Sequence, residues 1–98
     1  MTDVGRTVEH DETSRRYALV EDGEQLTIAD YRLEPDGVTA VFHHTVTQPA
    51  RRSEGLAAEL VRAAMDDVRR RGWRVVATCW YVDGFLQDHP EYADLRAT

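Results

Sequence analysis

The segment 38–80, VTAVFHHTVTQPARRSEGLAAELVRAAMDDVRRRGWRVVATCW, decides the fold. Its first ten residues, "VTAVFHHTVT" (38–47), are dense in β-branched and aromatic side chains and predict a strand. Pro49 ends that character, and the period of the pattern changes. From Leu56 the apolar positions Leu60, Val61, Ala64 and Val68 recur at helical spacing, with Ala57 and Met65 widening the stripe. Arg62, Asp66, Arg69 and Arg70 take the other side. The pairs Arg62–Asp66 and Asp66–Arg70 are expected to brace that side by a few tenths of a kcal/mol each. Arginines crowd the last turn, where the helix dipole favours cations, and Gly72 is a suitable terminator. A helix of about 18 residues is roughly 27 Å long, enough to cross a small sheet. "WRVVATCW" (73–80) predicts another strand, apolar enough to be buried on both faces. Strand, helix and strand in this order imply a right-handed crossover and a parallel pair.

Working outward from this unit, the upstream sequence reads as three more strands. "TVEHDE" (7–12) and "RRYALVED" (15–22) flank a polar break at Thr13 and Ser14, and Tyr17, Leu19 and Glu21 share one face. "EQLTIADYRLE" (24–34) sets Leu26, Ile28 and Asp30 against Thr27, Ala29 and Tyr31. Asp22-Gly23 and Pro35-Asp36-Gly37 are turn sequences, because glycine supplies positive φ, proline fixes φ and aspartate caps its own backbone. Four strands joined so tightly form an antiparallel meander. Downstream, "YVDGFLQDHPEYADL" (81–95) has helical apolar spacing broken at Asp88-His89-Pro90, which predicts one or two short helices. The expected fold is therefore α/β (α+β): a mixed sheet with a four-strand meander, a long helix, a fifth strand parallel to the fourth, and short C-terminal helices.

Composition bounds what such a domain can do. At 98 residues there is room for one core, so residues 1–98 are read as a single domain. A net charge of −6 argues against a nucleic-acid binder, which needs a basic face. All twelve basic residues are arginine, which excludes a lysine Schiff base. No apolar run approaches the roughly 18 to 20 residues that span a membrane. The opening "MTDVGRTVEH" has no apolar signal core, and a cytoplasmic location is expected. Cys79 is the single cysteine, so it forms no internal disulfide and builds no zinc site by itself. No metal-ligand spacing stands out.

The helix start carries the clearest binding signal. First-turn N–H groups lack internal partners, and the dipole presents partial positive charge, so such ends hold phosphates where glycine lets the backbone come close. Here Arg51, Arg52, Ser53 and Glu54 precede Gly55-Leu56-Ala57. The plain reading is a helix N-capped by Ser53 with Gly55 tolerated in its first turn. The alternative is an anion cradle, against which Glu54 sets a negative charge.

Arg52, Gly55 and Ala57 match the pattern in which Arg or Gln is followed by two residues, glycine, any residue, and Gly or Ala. Together with "FHHTVT" (42–47) and "FLQDHPEYADL" (85–95), this resembles the GNAT superfamily of N-acetyltransferases, and within it the minimal single-domain, YjdJ-type class. The likeness covers nearly the whole chain; the "HPEYADL" ending and the Cys-x-Tyr of Cys79 and Tyr81 are its more specific parts. It implies acetyl-CoA as co-substrate and an amine as acceptor. The pyrophosphate would rest on Arg51, Arg52, Ser53, Glu54, Gly55, Leu56 and Ala57, and the pantetheine along the backbone of Thr45 and Val46. Ser53 departs from the glycine common at its position, and Glu54 adds a carboxylate beside the anion site.

The resemblance also assigns chemistry. Cys79 matches the candidate catalytic cysteine of the minimal class, either accepting the acetyl group as thiolate or protonating the departing coenzyme A. Tyr81 is the alternative acid. His43 and His44 are neighbours in a strand and are expected on opposite faces, which prevents a joint metal site; His44 is the candidate general base. Against each role stands a structural one: Cys79 as a small buried hydrophobe, Tyr81 as a cover for the core, His44 as a surface histidine. The expected activity is acetyl transfer to a polypeptide or small-molecule amine by a monomer or weak homodimer. The alternative is a non-catalytic acyl-CoA-binding or protein-interaction module of the same fold.

Overall fold

Five strands in the order β1-β2-β3-β4-β5 form one sheet. They are β1 (Arg6–Asp11), β2 (Arg16–Glu21), β3 (Glu24–Leu33), β4 (Thr39–Thr47) and β5 (Arg74–Ala77), joined by α1 (Leu56–Arg71) and followed by α2 (Trp80–Asp88). Short 3₁₀ turns span Pro49–Arg51 and Pro90–Leu95. The computed structural model describes residues 5–97; residues 1–4 and 98, which the single-domain reading also takes in, lie outside them. The first four strands pair antiparallel and β4 pairs parallel with β5, as the crossover argument requires. Among the described residues no helix is long and apolar enough to cross a membrane.

The turns form for the expected reasons. Asp22 and Gly23 both take positive φ in the β2–β3 hairpin. Asp36 Oδ1 accepts the N–H groups of Val38 and Thr39, which closes the β3–β4 turn. Helix α1 lays Leu56, Leu60, Val61, Ala64, Met65 and Val68 on the sheet, where Tyr17, Leu19, Ala29, Tyr31, Ala40 and Phe42 meet them. At its other end the N–H groups of Gly72 and Trp73 reach the carbonyls of Arg69 and Val68 and end the helix. The anticipated Arg62–Asp66 and Asp66–Arg70 braces are absent among the described residues. Arg62 instead reaches Glu91, Asp66 accepts the Tyr92 hydroxyl, and Arg70 pairs with Asp67. Partners on the C-terminal turn for Arg62 and Asp66, and a local i,i+3 carboxylate for Arg70, displaced pairs worth only tenths of a kcal/mol.

Two bulges reset the faces of the strands. Leu19 pairs with Thr27 but Val20 with Gln25, so Leu26 is the extra residue in β3. Leu26, Thr27, Ala29 and Tyr31 are all buried, and simple alternation over 24–34 does not hold. In β4, Asp30 pairs with His44 and Tyr31 with Phe42, which leaves His43 as the extra residue. The expectation that His43 and His44 face opposite sides by alternation therefore fails, because a bulge breaks the period of two; both are exposed.

The fifth strand is shorter than 73–80 and is not buried on both faces. Pairing with β4 ends at Phe42–Ala77; Arg74 is exposed and only Val75 is buried. It is the edge of the sheet, and its outer side is taken by the C-terminus, where the Ala97 N–H donates to the Val75 carbonyl at 2.8 Å. The chain then turns at Thr78, so Cys79 precedes a helix instead of ending a strand.

Candidate active site

The site grows from the place where β4 and β5 part. The Phe42 carbonyl accepts the N–H groups of Thr78 and Cys79 at 3.0 and 3.1 Å, which closes the pair. Beyond it β4 continues to Thr47 while the chain after β5 swings away into α2. The β5-facing edge of β4 from His43 onward has no strand beside it among the described residues. A wedge opens there, with Cys79 at its base.

Cys79 is buried, and its Sγ lies 3.5 Å from the Thr45 hydroxyl. Burial pushes the thiol up. The Thr45 hydroxyl and N–H and the N–H groups of Val82 and Tyr81 outweigh that effect, and its pKa falls below the ordinary thiol value. Tyr81, two residues on, is half-buried against the core, and burial raises its pKa. The thiol pKa is thus lowered while that of the phenol two residues on is raised.

The other wall is the start of α1, and it is not the Ser53-capped helix that the residue types suggested. The N-cap is Gly55 at φ +76°, and Ser53 itself holds φ +75°. A Cβ on Gly55 would meet nothing within 4 Å, so conformation and not crowding calls for glycine there. Ser53 adopts the same left-handed region without that freedom, at a cost on the order of 1 kcal/mol. The two kinks turn successive N–H groups outward. Among the described residues the N–H groups from Ser53 to Ala57 meet no acceptor, and no side chain caps the helix. Such a row of N–H groups at a helix start is electropositive.

Its charges are sorted between two arginines. Arg51 clasps Glu54 through Nε and Nη2 at 2.9 and 3.0 Å and lies 3.6 Å from Glu21. The guanidinium holds the Glu54 carboxyl below its usual range. Arg52 makes no ion pair among the described residues and remains a free cation at the mouth. A cavity of about 190 Å³ is lined by Thr47, Arg51, Arg52, Ser53, Gly55, Leu56, Ala57 and Tyr81. Of the residues singled out from sequence, the fold thus brings Arg51, Arg52, Ser53, Gly55, Leu56, Ala57 and Tyr81 together, with Thr45 and Cys79 at the base of the wedge. Glu54 adjoins them, turned onto Arg51. Val46 and His44 stand apart: Val46 is exposed opposite Ile28, and His44 lies opposite Asp30 on the face turned from α1. Thr47 was not anticipated as a wall; its alternation with Thr45 was the available signal. Among the described residues no cluster of His, Cys, Asp and Glu could hold a metal ion.

The parallel strand pair thus splays beside an N–H-lined helix start. The chain belongs to the GCN5-related N-acetyltransferase family, whose model matches residues 16–95. It is 29% identical over 89 residues to protein NATD1 of Danio rerio, covering 89% of this chain and 81% of that protein. A GCN5-like protein from Staphylococcus aureus has the same fold at a TM-score of 0.72 and 17% identity, over 99% of this chain and 91% of that one. N-acetylglutamate synthase from Neisseria gonorrhoeae, solved with coenzyme A and N-acetyl-glutamate, matches at a TM-score of 0.56 and 16% identity. That match covers 74% of this chain and 19% of the synthase.

Proposed function

We propose that the chain transfers an acetyl group from acetyl-CoA to an amine in the β4–β5 wedge. The observation that carries this reading is the cavity walled by the α1 start, whose N–H groups from Ser53 to Ala57 meet no acceptor among the described residues, with Cys79 on Thr45 at the base of the wedge. A family relative of the same fold binds coenzyme A, which supports the choice of cofactor. The residues fit the group: Arg52 and the N–H row from Ser53 to Ala57 suit the pyrophosphate, and the open edge at Thr45 and Val46 suits the pantetheine amides. A reaction that draws on acetyl-CoA also fits a cytoplasmic location.

The chain's own groups divide the chemistry. Cys79 Sγ, as thiolate, attacks the thioester carbonyl carbon; the acetyl group moves to sulfur and the coenzyme A thiolate departs with a proton from Tyr81. A neutral amine then attacks the acetyl-cysteine, forms the amide, and returns the electron pair to Cys79; one amine proton replaces that lost by Tyr81. His44, exposed on the far face, serves as general base only for an amine approaching from that side.

Calorimetry with coenzyme A tests the first half, and intact-mass analysis after incubation with acetyl-CoA, amines and peptides tests the second. Binding followed by an acetylated acceptor is expected. Undetectable binding at millimolar ligand favours a protein-interaction module instead. Cys79→Ala is expected to cut turnover by on the order of 10²-fold or more with coenzyme A affinity unchanged. Full turnover in that variant would remove the acetyl-cysteine step.

A further inference from the structure

Beside the wedge, α2 carries a second cavity of about 190 Å³, with Tyr81 common to both. Trp80, Tyr81, Gly84, Phe85 and Asp88 line it at helical spacing, with His89 at the end of α2 and Ala58 of α1. Trp80 is 83% exposed, an unusual position for the largest apolar side chain. Its ring meets that of Tyr81 edge to face, with centroids 5.8 Å apart and planes at 78°, so two aromatic faces stand nearly at right angles. The Phe85 ring is already occupied, stacked by His89 at 4.0 Å and overlain by Arg62 at 5.8 Å. Asp88, unlike Asp83 on the same helix, which binds Arg96, forms no ion pair among the described residues.

Gly84 is the independent observation. It lies inside a helix, where glycine is unfavourable, yet an added Cβ would meet nothing within 4 Å. Packing does not require its bareness. What the missing side chain does is keep the floor of the cavity open.

We propose that this slot binds an alkylammonium group carried by the acceptor, held against the Trp80 and Tyr81 faces with the Asp88 carboxylate as counter-charge. This rests on the acetyl-transfer reading above and names the substrate class: an amine that bears a second, cationic nitrogen. Perpendicular aromatic faces attract a cation through their quadrupoles, and a free carboxylate completes the preference for charge over mere apolarity. The reacting amine must be neutral, so the cation in the slot is a different nitrogen. A free diamine and a polypeptide carrying a lysine beside a second amine share this chemistry.

The test is calorimetric titration of the intact chain with cadaverine, with its neutral counterpart pentanediol, and with a lysine-bearing peptide, alongside coenzyme A. Cadaverine or the peptide is expected to bind and pentanediol not to; which of the two binds more tightly identifies the source of the ammonium. Trp80→Ala and Gly84→Ala are each expected to weaken binding about tenfold, and Asp88→Asn about threefold with a flatter salt dependence. Gly84→Ala is the decisive variant, because it should melt higher than the parent while binding less, which unfolding cannot explain. Equal affinity for pentanediol, failure of both amines, or a Gly84→Ala affinity within twofold of the parent overturns the slot. Ammonium binding without coenzyme A binding overturns the transferase reading and leaves the slot standing.

Discussion

At the C-terminal end of α1, Arg69, Arg70 and Arg71 each meet a carboxylate, and Asp67 alone serves Arg70, Arg71 and the Tyr17 hydroxyl. His10 stacks on Tyr17 with centroids 4.0 Å apart, bonds the Tyr31 hydroxyl through Nε2 at 2.7 Å, and brings Nδ1 within 3.4 Å of Asp67. Among the described residues, the N-terminal end of the same helix has a row of N–H groups without acceptors, a strained Ser53 and an Arg52 with no ion pair. One end joins β1 to the rest of the sheet; the other keeps polar groups available. The contrast teaches that a small domain can keep a strained, under-bonded helix start when its polar network sits elsewhere. The Asp67 network crosses from β1 and β2 to the helix, so it holds the sheet edge most distant from the wedge.

The sharpest way to break this division is Asp67→Ala. It strands the Tyr17 hydroxyl and the paired arginines, and is expected to cost about 3 kcal/mol, read as a fall in Tm. Coenzyme A affinity measured below the new Tm should not move. A matching loss of affinity would mean that the two ends are coupled.

Acid should attack the closed end first. Burial lowers the pKa of His10 from 6.5, so its neutral form is the one that fits the fold. A lowered folded-state value contributes stability above the unfolded pKa, and that stability is lost as pH falls. The pKa of Asp67 is also lowered: burial opposes this, but the hydrogen bonds from Tyr17 and Arg71 outweigh it. Its contribution disappears near and below the carboxylate range. Melting temperature should therefore decline below about pH 6.5 and again below about pH 4. His10→Gln should remove the first decline and keep the second. A profile unchanged by that variant would show that His10 does not titrate with folding.

The open end should respond in the opposite sense. Ser53→Gly places glycine at φ +75° and is expected to raise stability by about 1 kcal/mol, a Tm gain of several degrees. Coenzyme A affinity should hold or tighten; weaker binding would show that the serine hydroxyl contacts the ligand. The smallest effect belongs to Glu54→Gln. Releasing Arg51 from its exposed clasp should tighten coenzyme A about two- to threefold. Unchanged affinity would mean that Arg51 stays on Glu21 and takes no part in the cradle.

Much of the fold was legible in the chain. Leu60, Val61, Ala64 and Val68 announce α1 by period; Asp22-Gly23 and Asp36-Gly37 announce the hairpins by backbone chemistry; strand–helix–strand order implies the parallel pair. The candidate site was legible where it follows the order of residues, as with Gly55 near a helix start; Cys79 was expected to end the fifth strand, and it instead precedes α2. It was not legible where partners are remote. Nothing local in "RRSEGLA" says that Arg51 will take Glu54 and leave Arg52 free, or that Ser53 will adopt the left-handed region.

By itself, then, the sequence determined which segments form strands and helices, their order, and the handed crossover that sets β4 beside β5, because period, turn chemistry and chirality act within a few residues. Tertiary structure alone decided that β5 stops at Ala77, that bulges at Leu26 and His43 reset the faces of β3 and β4, and that Trp80 stands in solvent. Those outcomes depend on how long a strand can pair before its neighbour diverges and on which distant groups compete for each hydrogen bond. Such competition is settled only when the whole chain is packed.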